Sequence, residues 1–166
     1  MEQQQHQQEY HSTAFAGQKA TRDEEYDLQF GRNKKILLID DHPESVSLLR
    51  RALGRWGYTT KVVCDGYEAI NELVLNHYDL IVLDWIMPGL GGMQTLMQAD
   101  KYVALDPIVN ESWPFRTRIP VVIYSAYRPN LSSIGSLEYF RVIDSWNKSQ
   151  KFRTILSNIY DTLQTI

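Results

Sequence analysis

The chain has 166 residues, 43% of them hydrophobic, which is enough for one ordinary domain with a buried core and some additional sequence. Its 17 basic and 20 acidic residues give a formal net charge of −3, and because they form no long block of one sign, we expect no nucleic-acid binding. No apolar stretch approaches the roughly 18 residues of a membrane span, and the first residues lack the pattern of a secretion signal, so we expect a cytoplasmic protein without membrane contact.

The first 33 residues are rich in Gln, His and charged side chains. Their scattered aromatic residues follow neither the helical nor the strand period, so they cannot bury enough apolar surface to offset the entropy of ordering. We therefore predict a disordered tail over residues 1–33 and one domain over residues 34–166. Cys64, the only cysteine of the chain, is expected to pack in the core of that domain.

The domain begins with three repeats of a strand followed by a helix. Apolar runs of strand length lie at 36–39 and 80–83, and residues 58–64 between them are predicted to form a strand as well. Pro43 stands where the first turn of a helix tolerates proline, and Asp65 with Glu68 predicts a capping box at the start of the second helix. The third helix is predicted from about Met93, after the Gly- and Pro-rich loop 88–92.

The second half of the domain is less regular. Residues 106–118 carry prolines and aromatic residues without any period, which predicts a surface loop insertion. A fourth strand at 121–124 ends at Ser125, and residues 131–139 form a weak helix at best.

A poor fifth strand at 140–145 and a closing amphipathic helix at 152–163 complete the alternation. Parallel neighbouring strands need crossover connections, and the helices between the strands supply them. We therefore predict an α/β fold, with a doubly wound five-stranded parallel sheet and helices on both faces. In such sheets, ligands bind beyond the carboxyl ends of the strands.

Charged and polar side chains follow the strands at this predicted edge. Asp40 and Asp41 follow the first strand, Asp84 the third and Ser125 the fourth, and Lys148 lies just past the fifth. Close carboxylates repel by about 4 kcal/mol per pair at an effective dielectric of about 20, so the cluster needs a cation, and hard oxygen ligands favour Mg²⁺ or Mn²⁺. Taken singly, each residue could be a cap, a turn former or a solvated charge. Their convergence on one edge is what indicates a site.

Three stretches resemble the receiver domain of two-component response regulators: KILLIDDHPE at 35–44, DLIVLDWIMPG at 79–89 and VVIYSA at 121–126, together with Lys148. The resemblance covers about residues 34–166 and implies the flavodoxin/CheY-like version of the predicted fold. It also implies that Asp84 accepts a phosphoryl group. The implied metal ligands are Asp40, Asp41, Asp84 and the backbone carbonyl of Ile86.

The resemblance further implies that Lys148 contacts the phosphate and that Ser125 is the switch hydroxyl. A phosphoryl group adds charge and acceptor oxygens, so Ser125 can be drawn inward and move the loop after the fourth strand. The implied partners are a histidine kinase or histidine phosphotransfer protein and a downstream protein target, because no output domain is visible in the chain. Homodimer formation and membership of a larger protein stay open.

The sequence departs from the family pattern beside the lysine. Ser149 follows Lys148 where relatives carry a proline, often after a cis bond, so we predict a trans bond or a distorted loop. The aromatic switch position, three residues before the lysine, is Ser145. Either Trp146 takes that role after a shift of one residue, or the aromatic switch is missing.

Two further departures concern the lifetime of the phosphate. Ile86 and Tyr127 stand where polar side chains in relatives can orient the hydrolytic water. These bulky groups should shield the acyl phosphate, so we predict slow autodephosphorylation and no activity on other substrates. A true phosphohydrolase is disfavoured, because such enzymes usually place a second acid at the position of Ile86.

The main alternative is a pseudo-receiver that keeps the fold and binds proteins without using phosphorylation. Ser145, Ser149 and the insertion around Trp113 motivate it.

Overall fold

The computed structural model describes residues 34–105, 118–127, 129–131 and 134–165. In this part of the chain the strands are β1 (Lys35–Ile39), β2 (Thr59–Val63), β3 (Leu80–Leu83), β4 (Ile119–Ser125) and β5 (Phe140–Asn147). The helices are α1 (Pro43–Arg55), α2 (Gly66–Leu75), α3 (Gly92–Leu105) and α4 (Phe152–Gln164). The predicted tail lies outside the described residues, as does the predicted insertion apart from Arg118.

All five strands pair in parallel in one sheet, in the order β2-β1-β3-β4-β5. The chain moves outward from β1 to β2 and then returns to place β3 on the other side of β1. The strand order therefore reverses between β1 and β3, which is the position where sheets of this type bind ligands. This architecture confirms the predicted doubly wound fold.

The core lies in two layers, one on each face of the sheet. On one face α2 and α3 pack through residues that include Ile70, Leu73, Leu96 and Val103. The other face is covered by α1 and α4, through Leu49, Leu53, Ile155 and Ile159 among others. Helices thus cover both faces, so the inner strands β1 and β3 are apolar on both sides.

Local signals in the sequence define where the helices begin and end. Asp65 Oδ1 accepts a hydrogen bond from Glu68 N at 2.8 Å, and Glu68 Oε2 accepts one from Cys64 N at 3.1 Å, so the predicted capping box forms with its return bond one residue earlier than the standard motif. Helix α1 stops before Gly57, whose φ of 85° is accessible to glycine at little cost. None of the helices in the described ranges is long and apolar enough to cross a membrane.

Strand β5 contains a bulge. Val142 pairs with Val121 while Asp144 pairs with Val122, which leaves Ile143 as an extra residue on β5. As a result, Phe140 and Val142 pack toward α2 and α3, whereas Trp146 packs toward α1 and α4. The extra residue explains why this segment looked like a poor strand: its apolar residues do not keep one face.

Two expectations differ from the structure. Residues 134–139, within the predicted weak helix, are not helical. The Asp100 carboxylate accepts hydrogen bonds from Glu138 N at 3.0 Å and Tyr139 N at 2.7 Å, which fixes these residues in a bend directly before β5. Cys64 is exposed rather than packed in the core, because it lies just beyond the end of β2.

Candidate functional site

The carboxyl ends of β1 and β3 place two aspartates side by side. Ile39 pairs with Leu83 at the last rung of these strands, so Asp40 and Asp84 emerge together from the sheet. Lys148, just beyond β5, reaches both: its Nζ lies 2.6 Å from Asp40 Oδ2 and 2.6 Å from Asp84 Oδ2. One ammonium thus bridges two carboxylates that the sequence separates by more than forty residues.

Burial makes this cluster electrostatically unusual. Asp40 is 0% exposed and Asp84 is 6% exposed. Desolvation raises the pKa of Asp40, and the contact with Lys148 only partly opposes that rise. Burial would lower the pKa of Lys148, but the contacts with Asp40 and Asp84 outweigh it and raise the pKa. The lysine is therefore held as a cation between the two acids.

Backbone donors orient the second oxygen of each carboxylate. Asp40 Oδ1 accepts a hydrogen bond from His42 N at 2.9 Å, and Asp84 Oδ1 accepts one from Ile86 N at 3.2 Å. Asp40 Oδ2 is different, since it is buried and makes no well-aligned hydrogen bond. Its short contact with Lys148 is therefore an ion pair alone. An oxygen in this state suits a further cation.

Asp40, Asp41 and His42 form a possible metal-binding group, because one ligand atom from each lies within 4.8 Å of the others. His42 is an exposed side chain, and its Nδ1 lies 3.1 Å from Asp41 Oδ2. The carboxylates supply the hard oxygens that Mg²⁺ prefers, so the residues fit the predicted ion. The sequence interpretation missed His42, although its position directly after two acids was the available signal.

The remaining predicted site residues surround this cluster without all joining it. Ser125 ends β4 and is 1% exposed, and its backbone carbonyl accepts a hydrogen bond from Lys148 N at 2.9 Å. Ile86 is exposed beside Asp84. Trp146 is buried, and its Nε1 donates to Asp144 Oδ2 at 2.6 Å. The structure thus brings Asp40, Asp84 and Lys148 together, while Trp146 lies in the core layer below.

Gly92 allows the first turn of α3 to approach the acidic cluster. A Cβ at this position would lie 2.6 Å from the backbone oxygen of Asp84 and 3.0 Å from Trp85 Cα. Gly92 N donates to Trp85 O at 3.1 Å, which closes the loop between β3 and α3. The absence of a side chain here keeps the end of β3 tight against the helix.

Lys148 and Ser149 are joined by a trans peptide bond, as are all the residues that the structure describes. This agrees with the prediction made from Ser149.

Comparisons with known proteins indicate which protein family this chain is similar to. The family model of the response regulator receiver domain matches residues 36–112. The transcriptional regulatory protein PhoP of Bacillus subtilis, named for alkaline phosphatase synthesis, is 39% identical over 77 residues, which are 46% of this chain and 32% of PhoP. The sensor histidine kinase RcsC of Escherichia coli K12 is 44% identical over 57 residues, covering 34% of this chain and 6% of RcsC. The matched regions span about a third or less of these relatives.

Solved structures give a similar result. The response regulator TrrA of Thermotoga maritima, in complex with Mg²⁺ and BeF, matches with a TM-score of 0.56 at 25% identity over 77% of this chain and 97% of TrrA. A CheY-like receiver domain protein of Methanospirillum hungatei matches with a TM-score of 0.60 at 19% identity over 80% of this chain and 94% of its own. The second likeness shows the fold alone.

Proposed function

Because the chain contains a receiver domain of the response regulator family, the signalling module of two-component phosphorelays, we propose that Asp84 accepts a phosphoryl group from a histidine kinase or a histidine phosphotransfer protein. The observation that carries this proposal is the bridge from Lys148 to Asp84 and Asp40, at 2.6 Å each. A buried carboxylate beside a fixed ammonium is the arrangement that phosphoryl transfer requires, because the reaction depends on positioning and charge neutralisation.

In the proposed step, an oxygen of the Asp84 carboxylate forms a bond to phosphorus. The bond from phosphorus to the histidine nitrogen of the donor breaks, and that nitrogen keeps the electron pair. Lys148 is close enough to Asp84 to balance the negative charge that gathers on the equatorial oxygens. Asp40 and Asp41, with Asp84 and the backbone carbonyl of Ile86, would hold Mg²⁺ or Mn²⁺. The bound ion would supply further charge neutralisation.

The output is proposed to be protein contact. Ser125 would act as the switch hydroxyl, and the loop that follows it would change position when Asp84 is phosphorylated. Trp146 would take the role of the switch aromatic. We also propose a cytoplasmic location, and slow loss of the phosphate because of Ile86 and Tyr127. Both of these side chains are more than half exposed, at 54% and 68%, so their shielding would have to come from rotation over the phosphorylated site.

Phosphate uptake is the direct test. The wild-type protein, incubated with Mg²⁺ and acetyl phosphate, is expected to gain the mass of one phosphoryl group, and Asp84→Asn is expected to abolish the gain. Asp161→Asn, which removes an exposed carboxylate on α4, is the matched control and should behave as wild type. Uptake by Asp84→Asn, or none by the wild type, would contradict the proposal.

A pseudo-receiver is the second candidate, and one observation favours it. The indole of Trp146 is 2% exposed and hydrogen-bonded to Asp144, so it is fixed in the core rather than free to move as a switch. This alternative would be established if the wild-type protein takes up no phosphate and the Asp84→Asn variant binds the partner protein as tightly as the wild type does.

A further inference from the structure

The Asn147 side chain connects two loops at the carboxyl edge of the sheet. Its Nδ2 donates to Ala126 O at 3.0 Å, in the turn that follows β4. Its Oδ1 accepts from Ser149 N at 2.8 Å and from Ser149 Oγ at 2.5 Å, on the far side of Lys148. One amide thus ties together the residue after Ser125 and the residue after Lys148.

We propose that Asn147 is a positioning residue for phosphoryl transfer, holding the backbone on both sides of Lys148 so that the ammonium meets Asp84. This inference rests on the proposed function of Asp84 as phosphoacceptor. Lys148 itself is held by its own N–H, which donates to Ser125 O at 2.9 Å. A long lysine side chain loses much rotamer freedom when its ammonium is fixed. Anchoring the backbone of Lys148 in advance reduces the further conformational entropy that is lost when the ammonium is placed at Asp84.

The chemistry of this connection needs an amide side chain. Asn147 donates with one end and accepts with the other, so an aspartate could keep the bond from Ser149 N but could not donate to Ala126 O. The acceptor half also needs a residue with an N–H at position 149. Ser149 provides it, whereas the proline that relatives carry there has none.

The same contacts couple the Ser125 turn to Lys148. A shift of Ala126 O would pull on the Asn147 amide, and through Ser149 it would move the backbone of Lys148. A change at the end of β4 is therefore transmitted directly to the cation that faces Asp84.

Phosphorylation kinetics test the positioning role. With Mg²⁺ and acetyl phosphate, Asn147→Ala is expected to lower the maximal rate of phosphate uptake about five- to tenfold, because a misplaced cation stabilises the transition state less well. The acetyl phosphate concentration that gives half of that rate should change less than the rate itself, since Lys148 is the one group facing the donor's phosphate that the variant is expected to displace. Asn71→Ala, which shortens an exposed asparagine on α2, is the control and should keep the wild-type rate.

Amide hydrogen exchange, measured by NMR on the unphosphorylated protein, gives a readout that does not depend on activity. Asn147→Ala should speed exchange at Ser149 N and Lys148 N, while Asn147→Asp should leave Ser149 N protected and restore only part of the uptake rate. A purely structural role would lower stability without changing the maximal rate of correctly folded protein. An unchanged rate in Asn147→Ala, with faster exchange or without it, overturns the proposal.

Failure of the proposed function gives a different result. In that case the wild-type protein itself takes up no phosphate, and the crystal structure of Asn147→Ala decides the positioning role. Displacement of Lys148 Nζ from Asp84 by more than hydrogen-bond distance supports that role, and an unmoved ammonium contradicts it.

Discussion

A single side chain, Lys148, forms ion pairs with two buried acids. Asp40 and Asp84 project from neighbouring strands, and their mutual repulsion in this position is balanced by one ammonium at 2.6 Å from each. The lysine side chain is 20% exposed, so water only moderately screens its ion pairs with Asp40 and Asp84. Removing the ammonium would leave two uncompensated charges in a largely dry environment.

Lys148→Met is therefore expected to lower the free energy of unfolding by about 2 kcal/mol in the absence of divalent ions. Addition of Mg²⁺ should restore part of the loss, because an ion can replace the missing positive charge between the acids. Urea unfolding with and without Mg²⁺ measures both effects. Lys151→Met, which removes an exposed ammonium next to α4, should change stability very little, and an equal loss in the two variants would contradict the role of Lys148.

Gly92 provides a second prediction for a single residue. Gly92→Ala would place a Cβ 2.6 Å from the backbone oxygen of Asp84, so the first turn of α3 must move away. We expect a loss of about 2 kcal/mol in unfolding free energy, as found for overpacked sites, together with slower phosphate uptake. Gly54→Ala is the control, because an added Cβ there meets nothing within 4 Å. Similar stability of the two variants in thermal unfolding would argue against the close approach.

The acids and the lysine could be identified from the sequence because each follows a predicted strand. Asp40, Asp84 and Lys148 stand at strand ends, and parallel strands bring such ends together. His42 and Asn147 could not be identified in this way. Their contacts depend on the rotamers of polar side chains, one in the loop after β1 and one at the end of β5, which no periodicity encodes.

At the scale of the elements, a hydrogen bond between two neighbouring segments anchors the start of β3. The Tyr78 hydroxyl donates to Glu72 Oε1 on α2, and Tyr78 is 5% exposed. Burial, together with the hydrogen bond to Glu72, raises the pKa of the Tyr78 phenol. The folded protein therefore retains this proton more tightly than the unfolded chain does.

The alkaline stability of the protein should depend on Tyr78. Stability from a raised phenol pKa is fully present below the unfolded value of about 10 and is lost as pH rises through the folded pKa. Tyr78→Phe is expected to cost about 1 kcal/mol at neutral pH and to make the fall in unfolding free energy above pH 10 less steep. Unfolding by urea from pH 7 to 11 tests this. Tyr67→Phe, on the exposed face of α2, should keep the wild-type slope.

The first three strand and helix pairs follow from the sequence because their apolar residues keep one period and residues such as Pro43, Asp65 and Gly57 indicate where the helices begin and end. Asp65 and Glu68 form the predicted box, and Gly57 lies beyond the end of α1. The segment before β5 was harder to predict. Its conformation is set by Asp100, whose carboxylate accepts a hydrogen bond from Glu138 N. The two residues are 38 positions apart in the sequence. Such long-range hydrogen bonds override weak local helix propensity.

At the scale of the whole molecule, the two core layers together run from Ile36 to Leu163 in the part of the chain that the structure describes. Lys34 marks the start of the described chain and its Nζ donates to Leu163 O at 3.1 Å, which joins the beginning of the domain to its last helix. Together with the composition of residues 1–33, this motivates the proposal that the domain folds without that segment.

Deleting residues 1–33 is accordingly expected to change the unfolding free energy by less than about 0.5 kcal/mol and to keep a single cooperative transition. Ile159→Ala, at a position in α4 that is 0% exposed, should cost about 3 kcal/mol in the same assay. It is the positive control for a loss of core packing. Loss of cooperativity on deletion would show that the segment contributes to the fold.

The bulge at Ile143 makes β5 sensitive to its own length. Side chains alternate between the faces of a regular strand, so Phe140 and Trp146, which are six residues apart, would share a face if β5 ran without the bulge. The indole would then lie against the wrong pair of helices, and its place beside α1 and α4 would be an unfilled volume. A single-residue insertion elsewhere in β5 would therefore need a second bulge to keep Trp146 against α1 and α4, whereas deletion of Ile143 would give a regular strand with both faces unchanged.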